Sequence, residues 1–129
     1  MTFEQFKDAV VSCGFPKPSR DQYEKCVTQA KQGLITSKRE LAMFVAQIIH
    51  ESAGLTQKIE AACFESGCPG HYETPSDVPG KRYYGRGYMH LTWHYNYVAA
   101  SQSLYGDQRL ATDPDQVASN EEVAWATAF

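Results

Sequence analysis

Apolar residues recur every three to four positions in several stretches of the chain, which predicts a mainly α-helical protein. The clearest stretch is residues 38–53, KRELAMFVAQIIHESA, whose apolar stripe comprises Leu41, Phe44, Val45 and Ile48. Ser37 precedes this stretch and Glu40 follows three residues later, the pattern of a helix N-terminal capping box. Gly54 then predicts where the helix ends.

The same capping pattern, a hydroxyl residue with Glu or Gln three positions later, predicts three more helix starts. These pairs are Thr2 with Gln5, Ser19 with Gln22, and Ser119 with Glu122. A further helix is predicted over residues 93–104, and Gly14 and Gly33 mark the ends of the first two. The last predicted helix reaches Phe129 still in apolar periodicity and without a cap, so we expect the domain to continue beyond it.

The segment between the third and fourth helices is rich in glycine and proline. Residues 55–79 therefore read as loop, and residues 83–92 as a short extended or hairpin segment around Gly85 and Gly87. The length of 129 residues suits a single domain with one modest core.

Charge and hydropathy narrow the class of partner. The net charge of −3 argues against a nucleic-acid binder and favours a neutral polymer over an anionic one. The apolar runs are short and interrupted, so we expect no membrane span. The N-terminal segment has helix periodicity and acidic residues, so it is not a signal peptide.

Four cysteines allow three disulfide pairings. The local pairing, Cys13 with Cys26 and Cys63 with Cys68, closes two short loops and is the most economical. Disulfides would place the protein in an oxidising compartment. The alternative is that all four are free thiols in a cytosolic protein.

Two carboxylates are candidates for acid and base chemistry. Glu51 lies at the margin of the apolar stripe of the third helix, where loss of solvation suits a carboxyl group to donate a proton. Glu60 follows nine residues later, beyond the predicted helix end. Two such carboxylates facing across a groove are what glycoside hydrolysis requires, although this pair alone is a weak signal among 15 acidic residues.

The stretch KRYYGRGYMHLTWHYNY, residues 81–97, has the composition expected of a carbohydrate-binding surface. Tyr and Trp rings stack on sugar faces while their polar ends reach hydroxyl groups. Thr92 and Asn96, four residues apart, are neutral hydrogen-bonding groups suited to a sugar or a bound water. The alternative is a small aromatic core, which Tyr83, Tyr95 and Tyr97 could form.

Other kinds of site are less consistent with the sequence. The segment GRGYMH lacks the third glycine of a dinucleotide loop, and no Gly-x-Ser-x-Gly motif of serine hydrolases is present. His90 with His94, or Cys63 and Cys68 with His71, resemble parts of metal sites but lack a convincing fourth ligand. We therefore expect neither a metal ion nor an organic cofactor.

Three segments, KRELAMFVAQIIHESAGL, GKRYYGRGYMHLTWHYNYVAAS and LATDPDQVAS, resemble in that order the catalytic domain of glycoside hydrolase family 19 chitinases. The resemblance implies a lysozyme-like, bilobal α fold with a small β-hairpin beside the cleft. It makes residues 1–129 a single, partial catalytic domain. It also implies endo-acting, inverting cleavage of β-1,4-linked N-acetylglucosamine polymers such as chitin, by a secreted enzyme.

Roles carry over by position. Glu51 resembles the general acid of the family, Glu60 the general base, and Thr92 the hydroxyl residue that helps the base hold the attacking water. Six positions match substrate-binding residues: His50, Tyr84, Arg86, His90, Tyr95 and Asn96.

Two departures from the family pattern keep alternatives open. His90 stands where most relatives have glutamine, which puts the fine substrate preference in doubt. The family domain also extends further and there normally supplies an arginine that pairs with the acid and base. A peptidoglycan-cleaving muramidase and a non-catalytic chitin-binding or structural relative therefore remain alternatives.

Overall fold

The computed structural model describes all residues, Met1–Phe129, and contains seven α-helices and one 3₁₀ turn. The helices are α1 (Phe3–Ser12), α2 (Arg20–Gln32), α3 (Lys38–Glu51), α4 (His94–Tyr105), α5 (Arg109–Thr112), α6 (Gln116–Ser119) and α7 (Glu121–Ala126). The 3₁₀ turn, Ala61–Cys63, lies between α3 and α4. None of the helices has the length and apolar character needed to cross a membrane.

The helix starts follow the predicted caps in three of four cases. Both reciprocal hydrogen bonds of a capping box form at Thr2 and at Ser19, and the Ser37 hydroxyl accepts from the Glu40 amide. The prediction was wrong for Ser119, which is the last residue of α6. The cap of α7 is Asn120, whose side-chain oxygen accepts from the Val123 amide at 3.1 Å. Asparagine caps a helix as well as serine does. Ser119 is already part of α6, so the next residue, Asn120, becomes the cap of α7.

Two separate hydrophobic cores divide the molecule. The larger core is built from α1, α2, α3 and α7, together with Leu55 from the loop that follows α3. It includes Phe6, Val10, Val45, Ile48 and Trp125. The smaller comprises Tyr83, Tyr97, Leu110, Val117 and Val123. Helix α7 contributes to both, because Val123 and Trp125 lie on different sides of it. Two cores that share one helix agree with the predicted mainly α, two-lobed architecture.

The predicted hairpin over residues 83–92 is not a regular β ladder. Arg86 instead forms two isolated antiparallel bridges, one with Ile59 and one with Leu91. Residues 87–90 turn the chain between Arg86 and Leu91, and Gly87 and His90 within this turn both have positive φ. The segment is therefore a compact loop pinned on both sides by backbone hydrogen bonds.

The predicted pairing of Cys13 with Cys26 was wrong. Cys13 is exposed at the end of α1, whereas Cys26 is buried on the inner face of α2, and both are free thiols. Helix geometry directs the two side chains to different environments, so their sulfur atoms do not meet. Cys63 and Cys68 do form the predicted disulfide, with Cα atoms 4.9 Å apart. Burial raises the pKa of the Cys26 thiol to about 12.

Candidate active site

Glu60 occupies the residue before the 3₁₀ turn, and its half-buried carboxylate is held by two donors. The Tyr72 hydroxyl donates to Oε1 at 2.9 Å, and the Gly85 amide donates to Oε2 at 3.3 Å. The Glu60 amide in turn donates to the Gly85 carbonyl at 2.8 Å, so the two backbones run side by side. A carboxylate offers about four acceptor positions, so two remain for water or ligand.

Gly85 is required by this close approach. A Cβ atom at position 85 would lie 3.2 Å from both Cβ and Oε2 of Glu60 and 3.0 Å from Cβ of His90. Distances this short force a neighbour to move, and here two neighbours surround the same position. Glycine therefore allows the tyrosine-glycine-arginine-glycine loop to contact the carboxylate directly.

Aromatic rings extend from Glu60 toward the start of α4. The Tyr72 ring meets Trp93 edge-on, with centroids 5.4 Å apart, and Trp93 lies nearly parallel to Tyr95 at 6.2 Å. The Tyr95 side chain is 60 % exposed, so Tyr95 does not belong to the aromatic core that the sequence left open as an alternative. Tyr83 and Tyr97 do belong to that core, since both are fully buried. A row of accessible rings beside a carboxylate is a surface suited to a sugar chain.

Thr92, Asn96 and His90 form a small hydrogen-bonded group next to this row. The Thr92 hydroxyl donates to the His90 carbonyl at 2.7 Å, and the Asn96 amide donates to the Thr92 carbonyl at 2.9 Å. The only proton of the Thr92 hydroxyl is thus engaged, which leaves its oxygen as an acceptor. The His90 ring lies near the Gln57 carbonyl, with Nε2 and the oxygen 3.4 Å apart.

Glu51 and His50 lie in the last turn of α3, and both are exposed. The expectation that Glu51 sits at the partly desolvated edge of the core was therefore wrong: Ile48 and Ile49 face inward while Glu51 points to solvent. Its carboxylate accepts a hydrogen bond from the Gln47 side chain at 3.0 Å. No direct contact joins Glu51 to Glu60.

Arg86 is buried, with a side chain only 3 % exposed, so it does not offer its guanidinium to a ligand as the sequence suggested. It donates to the Arg82 carbonyl at 2.7 Å, to the Tyr97 hydroxyl at 3.1 Å and to Asp115 at 2.8 Å. Its guanidinium carbon also lies 3.8 Å from the centre of the Tyr84 ring. Arg86 therefore supports the loop from behind, and Tyr84 packs against it half-buried.

A second buried network fixes the loop that carries Glu60. Both Tyr88 and Trp125 donate to Oε1 of Glu121, and Lys58 forms an ion pair with Oε2 at 2.8 Å. The Lys58 carbonyl also accepts from the Gly87 amide at 2.8 Å. Lys58 is two residues before Glu60, so this network ties the position of Glu60 to α7. Burial, followed by the hydrogen bond to Glu121, raises the pKa of Tyr88.

Open grooves lie on either side of the 3₁₀ turn. One of about 450 Å³ is lined by Glu60, Ala62, Ser66, Cys68, Pro69, His71 and Tyr72. The other, of about 530 Å³, is more apolar and is lined by Thr56, Gln57, Lys58, Ile59, Ala61, Phe64 and Ala118. The Glu60 carboxylate is thus accessible from a groove while its backbone is fixed.

Sequence reasoning missed two residues of this site. Tyr72 lies in a segment read only as loop, and Lys58 acts through its ion pair with Glu121, 63 residues away in sequence. No spacing or periodicity indicates either contact, because the partners are separated by turns without regular structure.

Comparison with known proteins agrees with this architecture. The sequence profile of glycoside hydrolase family 19, described as chitinase class I, matches residues 24–129. An endochitinase of Arabidopsis thaliana is 44 % identical over 97 residues, which are 72 % of this chain and 31 % of the relative. Chitinase 5 of Oryza sativa subsp. japonica is 36 % identical over 95 residues, 72 % of this chain and 32 % of the relative.

Solved structures resemble nearly the whole chain. Chitinase C from Streptomyces griseus superposes with a TM-score of 0.74 at 30 % identity, covering 98 % of this chain and 52 % of that one. A bacterial family 19 chitinase gives a TM-score of 0.70 at 26 % identity, with 98 % and 64 % covered. The mainly α, lysozyme-like fold expected from the sequence is thereby confirmed, and the chain spans about a third of the plant relatives. Since the profile covers most of the sequence and the fold agrees over nearly all of it, the chain belongs to glycoside hydrolase family 19.

Proposed function

We propose that the protein hydrolyses β-1,4-linked N-acetylglucosamine polymers, chitin above all, as an endo-acting and inverting glycosidase. The observation that carries this proposal is the Glu60 carboxylate, fixed by Tyr72 and Gly85 at a groove in a chain of this family. Family membership and relatives named endochitinase support the choice of polymer.

Glu60 acts in this proposal as the general base. In an inverting reaction the base carboxylate takes a proton from a water molecule on the far face of the sugar ring. Both donors on Glu60 are neutral, so they orient the carboxylate without adding a positive charge to it. The free acceptor positions on its oxygens are then available to the attacking water.

Thr92 acts as the second acceptor for that water. Its own proton is engaged by the His90 carbonyl, so Thr92 Oγ receives a hydrogen bond and does not compete to donate one. A water that donates one hydrogen to Thr92 and the other to Glu60 directs its lone pair at the sugar carbon. This arrangement requires a threonine or serine whose proton is used elsewhere.

Glu51 acts as the general acid that protonates the leaving oxygen. Inverting enzymes keep acid and base about 6.5–9.5 Å apart to leave room for the water.

The sugar chain would lie along the accessible rings and the polar groups beside them. Trp93 and Tyr95 supply stacking faces, and Asn96 and His90 supply hydrogen-bonding groups. We further propose that the protein works outside the cytosol, since the Cys63–Cys68 disulfide persists in an oxidising compartment.

The test follows products from chitin oligomers and from peptidoglycan by NMR. We expect the unmodified protein to release α-anomeric products from chitin, and Glu51→Gln and Glu60→Gln to release none. Glu65→Gln is the matched control, because Glu65 is an exposed acid just beyond the 3₁₀ turn and has no assigned role. Cleavage of peptidoglycan alone would establish a muramidase instead, and binding of chitin without cleavage would establish a non-catalytic relative.

A further inference from the structure

We propose that Tyr72 is the positioning residue of Glu60: its hydroxyl holds the carboxylate in the orientation that accepts a proton from water. The inference rests on the proposed function, in which Glu60 is the base. It starts from the 2.9 Å hydrogen bond from the Tyr72 hydroxyl to Oε1, made across 12 residues of irregular chain. No other side chain donates to Glu60.

The two donors on Glu60 act on different oxygens. Gly85 holds Oε2 from the backbone of the loop, at the longer distance of 3.3 Å, whereas Tyr72 holds Oε1 from the opposite segment. One donor would leave the carboxylate free to swing about its bond to the side chain. Two donors on separate oxygens fix the plane of the carboxylate, and with it the direction of the remaining lone pairs.

The tyrosine itself is held in an unusual conformation. Its backbone φ is +56°, and its ring packs edge-on against Trp93, whose φ is +74°. Non-glycine residues in this region of φ are strained and tend to cluster at functional sites. Two such residues in contact, with one of them bound to the candidate base, indicate that the loop is shaped to deliver the hydroxyl.

The chemistry of the phenol suits this task. The hydrogen bond to Glu60 is the main cause that raises the pKa of Tyr72, with desolvation second. The hydroxyl therefore stays protonated, and remains a donor, throughout the neutral and mildly alkaline range. A lysine in this place would fix the carboxylate as well, but its charge would weaken the carboxylate as a base.

The kinetic test compares Tyr72→Phe with Tyr23→Phe on chitin oligomers. Tyr72→Phe keeps the ring against Trp93 and removes only the hydroxyl. Tyr23→Phe is the matched control, since it removes a hydroxyl that donates to the Met1 carbonyl in the larger core region. We expect Tyr72→Phe to lower kcat about tenfold with KM nearly unchanged, the loss of one hydrogen bond to a charged group.

The pH profile separates positioning from general damage. Loss of a donor makes the ionised carboxylate harder to form, so the acidic limb of kcat/KM should move to higher pH in Tyr72→Phe. The limb should stay in place in Tyr23→Phe. An unchanged limb together with unchanged kcat in Tyr72→Phe would overturn the inference and leave the proposed function standing.

A second readout does not depend on turnover. Glutamate labelled with ¹³C at the side-chain carboxyl reports the titration of each residue by NMR, and Glu60→Gln identifies the signal of Glu60. We expect this signal to titrate at higher pH in Tyr72→Phe than in the unmodified protein and in Tyr23→Phe. If the protein shows no hydrolysis, the proposed function fails, and this titration alone decides whether Tyr72 controls Glu60.

Discussion

Replacement of Glu121 tests the network that holds the candidate base loop. Oε1 of Glu121 accepts from both Tyr88 and Trp125, while Oε2 faces only Lys58. Glu121→Ala removes both oxygens and strands two donors in the core, since Tyr88 and Trp125 are fully buried. Glu121→Gln retains one oxygen and places an amide NH₂ at the other position. The two substitutions therefore separate the buried hydrogen bonds from the ion pair.

The expected magnitudes follow from these contacts. Each buried donor without a partner costs about 1–3 kcal/mol, and the partly exposed ion pair with Lys58 contributes about 1 kcal/mol or less. Glu121→Ala should therefore lower the free energy of unfolding by about 2–7 kcal/mol. Glu121→Gln should lower it by only about 1–2 kcal/mol, because the amide oxygen still accepts from Tyr88 and Trp125.

The assay is equilibrium unfolding in urea at neutral pH, followed by far-ultraviolet circular dichroism and by tryptophan fluorescence, to which half-buried Trp93 and buried Trp125 both contribute. Glu65→Ala is the control, because it also removes an acid but from an exposed side chain that forms no hydrogen bond or ion pair. We expect it to cost about 1 kcal/mol or less. Equal destabilisation by Glu121→Ala and Glu121→Gln would refute the reasoning that the buried donors dominate.

Three further predictions concern other parts of the structure. Gly85→Ala should lower the free energy of unfolding by about 1–3 kcal/mol through overpacking, measured in the same urea assay, and an unchanged value would contradict the close approach. In the native protein, Ellman's reagent should react rapidly with Cys13 alone, and with Cys26 only after denaturation. Rapid reaction of two thiols in the native protein would contradict the burial of Cys26. Burial raises the pKa of Tyr88 and Tyr97, so the unfolded chain releases these protons first, and stability should fall as pH rises above about 10. Tyr97→Phe should reduce this slope by about 1.4 kcal/mol per pH unit, and an unaltered slope would contradict the assignment.

The sequence predicted the parts of the fold that depend on local chemistry. The caps at Thr2, Ser19 and Ser37 each act within a few residues, so their patterns are readable without the fold. The cap of α7 was predicted one residue too early, because Ser119 and Asn120 are both suitable cap residues. Ser119 belongs to the short helix α6, so Asn120 is the cap. The predicted hairpin is reduced to the single antiparallel bridge between Arg86 and Leu91.

The candidate site was predicted less completely. Glu60 could be named from its spacing and the family resemblance, but the contacts that hold it depend on the tertiary fold. Arg86 shows the limit most clearly, because a basic residue between two glycines resembles a ligand contact in sequence and proves to be buried. Whether a loop side chain is buried depends on segments distant in sequence. For Arg86 these segments contribute Tyr97 and Asp115, and the sequence around Arg86 does not indicate either contact.

The ion pair between Lys58 and Glu121 also has a consequence for the order of folding. Its partners are 63 residues apart in sequence, whereas α1, α2 and α3 are joined by short connections and can assemble early. The segment around Glu60 receives its final support only when α7 packs against α2. Glu60 should therefore reach its working position in one of the last steps of folding, and a newly made chain would have its helices before it had its site.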